Sequence, residues 1–456
     1  MLCSLVETGV EIHPSLKQSQ QTCRQAPIML DWLCFNSKNQ SKIMLAFRNV
    51  ATLILAAALL QIAGGLLGVI VPLALGDQNL SNGVIGIIAA IYSAGFMIGA
   101  ANAPKVIRRI GNIRCFAFAA GIAAATTLIM AMFRDPYVWS IMRFAHGVSF
   151  ALMLASDESW MTEVTPPEKR GAVLGIYHVA AKMALILGPF LATGNLPADL
   201  EPYMWCGIFM SLALIPICVT RRVQPDPPDA SPFPFKRMVE VAPSAVIGVF
   251  VAGVSNTGFL SLLPIFAEKA ESGSIAGTAA QLMAAAFLGG VISQFPAGYI
   301  SDRIDRRIVV GIMGALSGVA ALFLAILDGS PSSLLIQGLV ALWGAGALSF
   351  YGLCVAHAAD RCEPDKISRM MSGLLFVWAA GSVIGPILFG FIMSSPLETR
   401  GLFIAEIFMG FFLLVAMLWR RRAKAAVEDD ERESYEFVNP TSLAGVEIDP
   451  RTDGTH

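Results

Sequence analysis

Twelve runs of mostly apolar residues recur along this 456-residue chain, and they constrain its fold more than any other feature. A helix needs about 20 such residues to cross the ~30 Å hydrocarbon core of a bilayer at ~1.5 Å per residue. With no water in that core, every backbone polar group must be satisfied within the helix. The runs are Val50 to Leu75, Val84 to Pro104, Ile113 to Met132, Tyr137 to Trp160, Gly171 to Gly194, Tyr203 to Val219, Val241 to Phe266, Ala276 to Ile300, Ile308 to Leu327, Leu334 to Ala359, Ile367 to Met393 and Leu402 to Trp419. A Pro-rich stretch from Arg221 to Arg237 parts the sixth from the seventh. The expected architecture is all-α and membrane-integral: a six-helix bundle over 44–220, a linker over 221–240, a second six-helix bundle over 241–419, and a polar tail over 420–456.

Lys and Arg in short connections are retained on the cytoplasmic side. The even-numbered connections carry 16 of them, among them Arg108, Arg109, Arg170, Arg303, Arg306, Arg307 and Arg361, whereas the odd-numbered ones carry only Arg134, Lys269 and Arg400. Both termini are therefore expected in the cytoplasm of a multi-pass protein of the plasma membrane, in a bacterium the inner membrane. Only 14% of the residues are charged, against roughly a quarter in soluble proteins, which argues against a soluble multi-domain enzyme. A net charge of −1 provides no global field to draw nucleic acid, so the lipid bilayer, and not nucleic acid, is the expected partner.

Residues 1–43 are polar and aperiodic, without the apolar core of a secretory signal. Met44 stands directly before the first span, so it is read as the natural start, with a disordered tail as the alternative. The eight cysteines show no C-x-x-C spacing, and neither a metal site nor a disulfide framework is expected. There is no Walker loop and no H-E-x-x-H, and the nearest approach to a G-x-S-x-G elbow, Gly147 to Ala151, lacks its last glycine. No cofactor and no enzymatic activity are expected.

Six plus six spans invite a test for duplication. Pro72 and Pro264 close spans 1 and 7, the basic loops around Arg108 and Asp302 follow spans 2 and 8, Gly147 and Gly346 lie in spans 4 and 10, and Gly188-Pro189 and Gly385-Pro386 lie in spans 5 and 11. Their offsets, 192, 194, 199 and 197, fall within seven residues of one another and indicate two related halves.

At these residues the chain resembles the major facilitator superfamily. The segment Gly298-Tyr-Ile-Ser-Asp302-Arg303-Ile-Asp305-Arg306-Arg307 is similar to the family's G-x-x-x-D-R-x-G-R-R loop, with Asp305 in place of the glycine. The first-half copy has Pro104 and Arg108 at the glycine and aspartate positions. Arg143-x-x-His146-Gly147-x-Ser149-Phe150-Ala151 is similar to the family's span-4 pattern, and Gly381-x-x-x-Gly385-Pro386, with Gly188-Pro189, to the helix-packing motif frequent in its exporters. Glu158-Ser-Trp160, Gln294-Phe-Pro296 and His357-Ala-Ala-Asp360-Arg361 look most like the poorly characterised bacterial YcaD-like branch. The resemblance implies two pseudo-symmetric bundles rocking about a central site in one monomeric chain. It also implies a cytoplasmic latch, for which Arg170, Asp302, Arg303, Asp305, Arg306 and Arg307 are the candidates.

An ionisable group at a helix centre costs at least ~2.5 kcal/mol on insertion scales, so those inside spans point to function. Arg143 and His146 in span 4, and His178 and Lys182 one turn apart in span 5, surround the bilayer middle and are the candidates for a substrate or proton path. Arg with Lys suits an anionic or carboxylate-bearing small-molecule substrate, or one partnered by an internal acid, and histidine suits protons. Asp157, Glu158, His357 and Asp360 lie toward the cytoplasmic ends of spans 4 and 10, where gate pairing is the first reading. Thr165-Pro-Pro-Glu168 reads as a capping box opening span 5, toward which Asp302 would latch. Glu406 in span 12 is expected to pair locally or face the headgroups. The function expected is proton-coupled secondary transport by alternating access, leaning to export by antiport, with a non-transporting membrane sensor or assembly partner of the same fold as the alternative.

Overall fold

A computed structural model describes residues 50–165, 170–192, 199–219, 234–270, 273–327, 329–363 and 366–423. The chain divides into two units, Met1–Ala51 and Thr52–His456. Of the first, only Val50 and Ala51 are described, as the start of the first helix, and every other described element belongs to the second. The expectations for residues 1–43, most of the linker and the tail beyond Ala423 lie outside the described residues.

The described residues form helices and no strand, with twelve long enough and apolar enough to cross a membrane. They are α1 (Val50–Asp77), α2 (Asn82–Ile110), α3 (Asn112–Met132), α4 (Pro136–Val164), α5 (Arg170–Leu187), α6 (Glu201–Leu212, resumed as Leu214–Val219), α7 (Pro243–Phe266), α8 (Ile275–Ser301), α9 (Arg306–Ile326), α10 (Leu334–Ala347, resumed as Phe350–Ala359), α11 (Ile367–Met393) and α12 (Arg400–Ala423). Each overlaps the corresponding apolar run. A short helix, Phe235–Val241, occupies the end of the expected linker.

Local sequence sets where the helices begin. The Asp135 carboxylate accepts from the N–H groups of Tyr137 and Val138 at 2.9 and 3.0 Å with Pro136 as first helical residue, and Ser274 accepts from Gly277 at 2.9 Å. These side chains satisfy amides that a helix cannot bond internally. After Leu187, α5 tightens into a 3-10 turn over Gly188–Ala192 at its Gly-Pro step. The Thr165 hydroxyl donates back to the Met161 carbonyl at 2.7 Å where α4 ends, and the rest of the expected capping box, residues 166–169, lies outside the described residues.

Helix contacts repeat between the two halves in register. In the first half α2 meets α4 where Cβ atoms at Gly95 and Gly147 would collide with the Phe144 and Tyr92 carbonyls. In the second, α8 meets α10 where Cβ atoms at Gly289 and Gly344 would collide with the Ala341 and Ala286 carbonyls. Likewise Gly188 of α5 rests on the Ile62 carbonyl of α1, and Gly385 of α11 on the Val254 carbonyl of α7. The offsets are 192 for α1 and α7, 194 for α2 and α8, and 197 for α4, α5, α10 and α11. Gly147 thus corresponds in its contacts to Gly344, and the expected equivalence with Gly346 is corrected: Gly346 faces Met313 and Ser317 of α9 instead.

Contacts between the bundles lie at the end of the helices remote from the Arg-rich loops, or at the membrane middle. At the remote end the Gly83 N–H donates to Ser394 Oγ at 2.8 Å, Asn82 Nδ2 to the Met393 carbonyl at 3.4 Å, and Gly86 packs on the Pro386 carbonyl, joining α2 to α11. At the middle Phe96 of α2 meets Trp378 of α11 edge-on at 6.5 Å, and Lys182 of α5 reaches Phe287 of α8.

Candidate functional site

Two cations lie within membrane-spanning helices of the first bundle. The Arg143 guanidinium on α4 lies 4.2 Å from the centre of the Tyr92 ring of α2, its Nε without a hydrogen-bond partner. Lys182 Nζ on α5 lies 5.6 Å from the centre of the Phe287 ring, across the bundle boundary. Among the described residues neither cation has a carboxylate within 4 Å, so each is held by an aromatic face alone. His146 is buried inside the first bundle, its Nδ1 3.3 Å from Thr126 Oγ1 of α3 and its ring stacked on Phe150. His178 is also buried, its ring edge-on to Tyr177 at 5.1 Å, one helical turn before Lys182.

The charged loop between α8 and α9 forms a second cluster. Arg306, buried although charged, donates to Asp360 through Nε at 2.7 Å and Nη2 at 3.4 Å, to Ser301 Oγ at 3.2 Å, and pairs with Asp302 at 3.1 Å. This fork ties the start of α9 to the end of α10. Arg307 grips Asp305 with Nε at 3.0 Å and Nη2 at 2.8 Å while Nη1 donates to the Arg420 carbonyl of α12 at 3.1 Å. Asp305, standing where the family pattern has glycine, accepts the Arg307 backbone N–H at 3.0 Å and so caps α9. Burial pushes the Asp305 carboxyl upward, but its bonds to Arg307 and that residue's charge outweigh this and hold it below the usual carboxylate value. Arg303 lies flat on the Tyr299 ring at 3.4 Å. His357, buried in α10, is close enough to Arg361, Arg307 and Asp305 to feel their charges.

Asp302, Asp305, Arg306, Arg307 and Asp360 are thus brought together by pairing within the second bundle. The Arg170 side chain lies outside the described residues. Asp157 and Glu158 are buried near the end of α4, with Tyr177 of α5 facing Asp157. The Gly298 carbonyl takes the Ser301 hydroxyl at 2.7 Å, and Gly381 packs against the Phe250 carbonyl of α7.

One polar residue ranks higher in the structure than in the sequence. Glu406 has no exposed surface, and Ser255 Oγ of α7 lies 2.9 and 2.7 Å from its two oxygens. It faces neither headgroups nor a loop. The signal was its rarity, since Asp157, Glu158 and Glu406 are the three acids inside the expected spans.

Comparison with known proteins fits this architecture. The Major Facilitator Superfamily family model matches residues 53–270 and 245–446. An uncharacterized MFS-type transporter of Enterobacter sp. (strain 638) is 26% identical over 81% of this chain and 95% of its own length, and the MFS-type transporter YcaD of Salmonella enteritidis PT4 is 24% identical over the same shares. Among solved structures, a bacterial homologue of the human lysosomal transporter Spinster, inward-facing and unoccupied, superposes with a TM-score of 0.68 at 15% identity, covering 86% of this chain and 99% of that one. A D-xylose-proton symporter superposes with a TM-score of 0.65 at 15% identity, covering 84% and 99%. The chain belongs to the Major Facilitator Superfamily, whose members are multi-pass membrane transporters and not enzymes.

Proposed function

We propose that this chain moves a small organic anion across the bacterial inner membrane by alternating access, using the proton gradient and working as an exporter by antiport. Both termini and the Arg-rich loops lie in the cytoplasm in this reading, so the conformation described, with its bundles joined at the remote end, is inward-facing. The observation that carries the substrate class is the pair of mid-membrane cations, Arg143 and Lys182, stacked on aromatic rings without a carboxylate within reach among the described residues. A half-buried cation inside an apolar span is tolerated when a partner completes it, and here an anionic substrate is that partner. Proton coupling is supported by the fold shared with a D-xylose-proton symporter, and the export direction by the resemblance of the Gly-Pro motifs alone.

The test is flux into proteoliposomes of matched organic acids and their neutral amides, with and without an imposed pH gradient. Acids are expected to move and amides not, with Arg143→Gln and Lys182→Gln each cutting acid flux tenfold or more. Equal movement of amides, or variants as active as the unaltered chain, would reject an anionic substrate; flux indifferent to the gradient would reject proton coupling.

A further inference from the structure

The acid in α12 is placed like a proton carrier. Glu406 sits at the junction of α7, α9, α10 and α12, wholly buried, with Ser255 within hydrogen-bond distance of both its oxygens; of its neighbours Ser317 and Trp343, the Ser317 hydroxyl donates to the Gly314 carbonyl at 2.9 Å and the Trp343 Nε1 makes no hydrogen bond. No cation lies within 4 Å of it among the described residues.

Hydrogen-bond arithmetic bears on its state. A serine hydroxyl has one hydrogen and can donate to one carboxylate oxygen, which leaves the other oxygen of an ionised Glu406 facing the lone pairs of the same Ser255 Oγ. A protonated Glu406 resolves this, with one carboxyl oxygen donating to Ser255 while the hydroxyl donates to the other. The spacings of 2.7 and 2.9 Å are both ordinary O–H···O distances.

The packed neighbours bring no countercharge. On α9 the nearest charge, Arg307, is ten residues from Ser317, about 15 Å along the helix. On α7, Glu268 is thirteen residues past Ser255, and on α10, His357 is fourteen past Trp343, each about 20 Å. Tyr351 and Cys354 of α10 turn to Trp378 and Gly248. Between Arg369 and Met393, α11 carries no charged residue, and on α12 itself Arg400 is six residues away, about 9 Å. Toward that end the site is closed by rings: Phe259 stacks on Trp343 at 3.8 Å, and Phe403 packs on Phe259 and Phe266 at 6.1 and 5.1 Å.

We propose that Glu406 is a proton-binding site of the second bundle, loaded in the conformation described here, with Ser255 as its hydrogen-bond partner. This site deepens the proton-coupled reading of the chain and rests on it for its role in transport. Because α7 also packs on α11 through Gly253 and Gly385, loss of the proton would disturb a helix that itself borders the bundle contact.

The test needs no substrate. Infrared difference spectra of the purified full chain in lipid nanodiscs, titrated with acid and base, should show a carboxylic-acid C=O band giving way to a carboxylate band. Glu406→Gln, which keeps the shape of the protonated acid, should abolish that band, and Ser255→Ala should shift both its frequency and its titration midpoint. If subtracting the Glu406→Gln spectrum reveals no titrating band while the protein stays folded, or if Ser255→Ala leaves the band unmoved, Glu406 is not such a site. Should Glu406→Gln fail to fold, the Ser255→Ala shift decides alone. Failure of all flux assays with a titrating Glu406 would sink the transport reading and leave the proton site standing.

Discussion

Arg306 is a full charge with almost no exposed surface, and it persists because three oxygen-bearing neighbours meet its fork. The attraction is strong in that setting, but so is the penalty for taking ions out of water, and the balance turns on the partner being present. Asp360→Asn removes the charge that accepts both Nε and Nη2. It is expected to cost about 3–5 kcal/mol, the range for breaking a buried pair from one side. Thermal unfolding in detergent would measure it, and a variant with unchanged stability would show that Asp302 and Ser301 suffice. Asp305 gives a pH-dependent counterpart. Its carboxyl is held below its unfolded value of ~3.9, so its contribution is present in full above that value and is lost as the pH falls through the depressed one. Unfolding followed from pH 7 down to about 3 should therefore show an acid-side loss that is smaller in Asp305→Asn. The roles of these residues were only half legible beforehand. Charge type and loop position marked them, but a sequence pattern cannot say whether Asp302 reaches across to the other bundle or back to Arg306, because both need the same residue. Glu406 is hard to place from sequence for a related reason: burial depends on the helix face, and α12 turns that face toward α7.

At the scale of elements the sequence was far more explicit. Length and apolar content mark membrane-spanning helices almost without help from tertiary structure, so each expected span overlaps its helix, the largest mismatch at an end being the six residues by which α2 runs past Pro104. What the apolar pattern lacked were the interruptions at Ala213 and at Leu348 to Ser349, and the exact contact register. That register makes a comparison between halves possible. Gly95 and Gly289 are equivalent, and both touch a carbonyl of the facing helix, whereas Gly65 corresponds to Thr257. There a Cβ on Gly65 would strike the Leu185 carbonyl, while Thr257 fits with its hydroxyl 2.5 Å from the Gly253 carbonyl of its own helix and 3.3 Å from the equivalent Ser382 carbonyl. The second half therefore keeps its helices slightly farther apart at this point and has room for a side chain. Gly65→Ala, Gly95→Ala and Gly289→Ala should each destabilise by about 1–3 kcal/mol through overpacking, and Thr257→Ala by about 1 kcal/mol or less from one hydrogen bond. Fluorescence-detected size exclusion after heating would rank the four. A Gly65→Ala variant as stable as Thr257→Ala would refute the difference in helix approach.

At the scale of the whole molecule, transport by rocking bundles requires that the contacts joining α2 to α11 at the end remote from the basic loops be made and broken in every cycle. The bonds there are few and polar: Gly83 N–H to Ser394 Oγ, and Asn82 Nδ2 to the Met393 carbonyl, beside the close seat of Gly86 on Pro386. Hydrogen bonds of this kind, each worth on the order of 1 kcal/mol net, can be exchanged for bonds to water when the ends part, which lowers the cost of opening. Gly83→Cys with Ser394→Cys, in a chain whose own cysteines are replaced by serine or alanine, should form a disulfide under mild oxidation because a Cβ at Gly83 would stand only 3.3 Å from Ser394 Oγ. The oxidised protein should be held in the conformation described, able to bind the proposed substrate but unable to carry it through, and reduction should restore flux. Oxidised protein that transports at the full rate would mean that these ends never part. The bundles would then not alternate about α2 and α11, whatever their fold. Failure of the pair to cross-link at all, in protein that still transports, would instead mean that the remote end is mostly open, and that the closed arrangement is the minor member of the two.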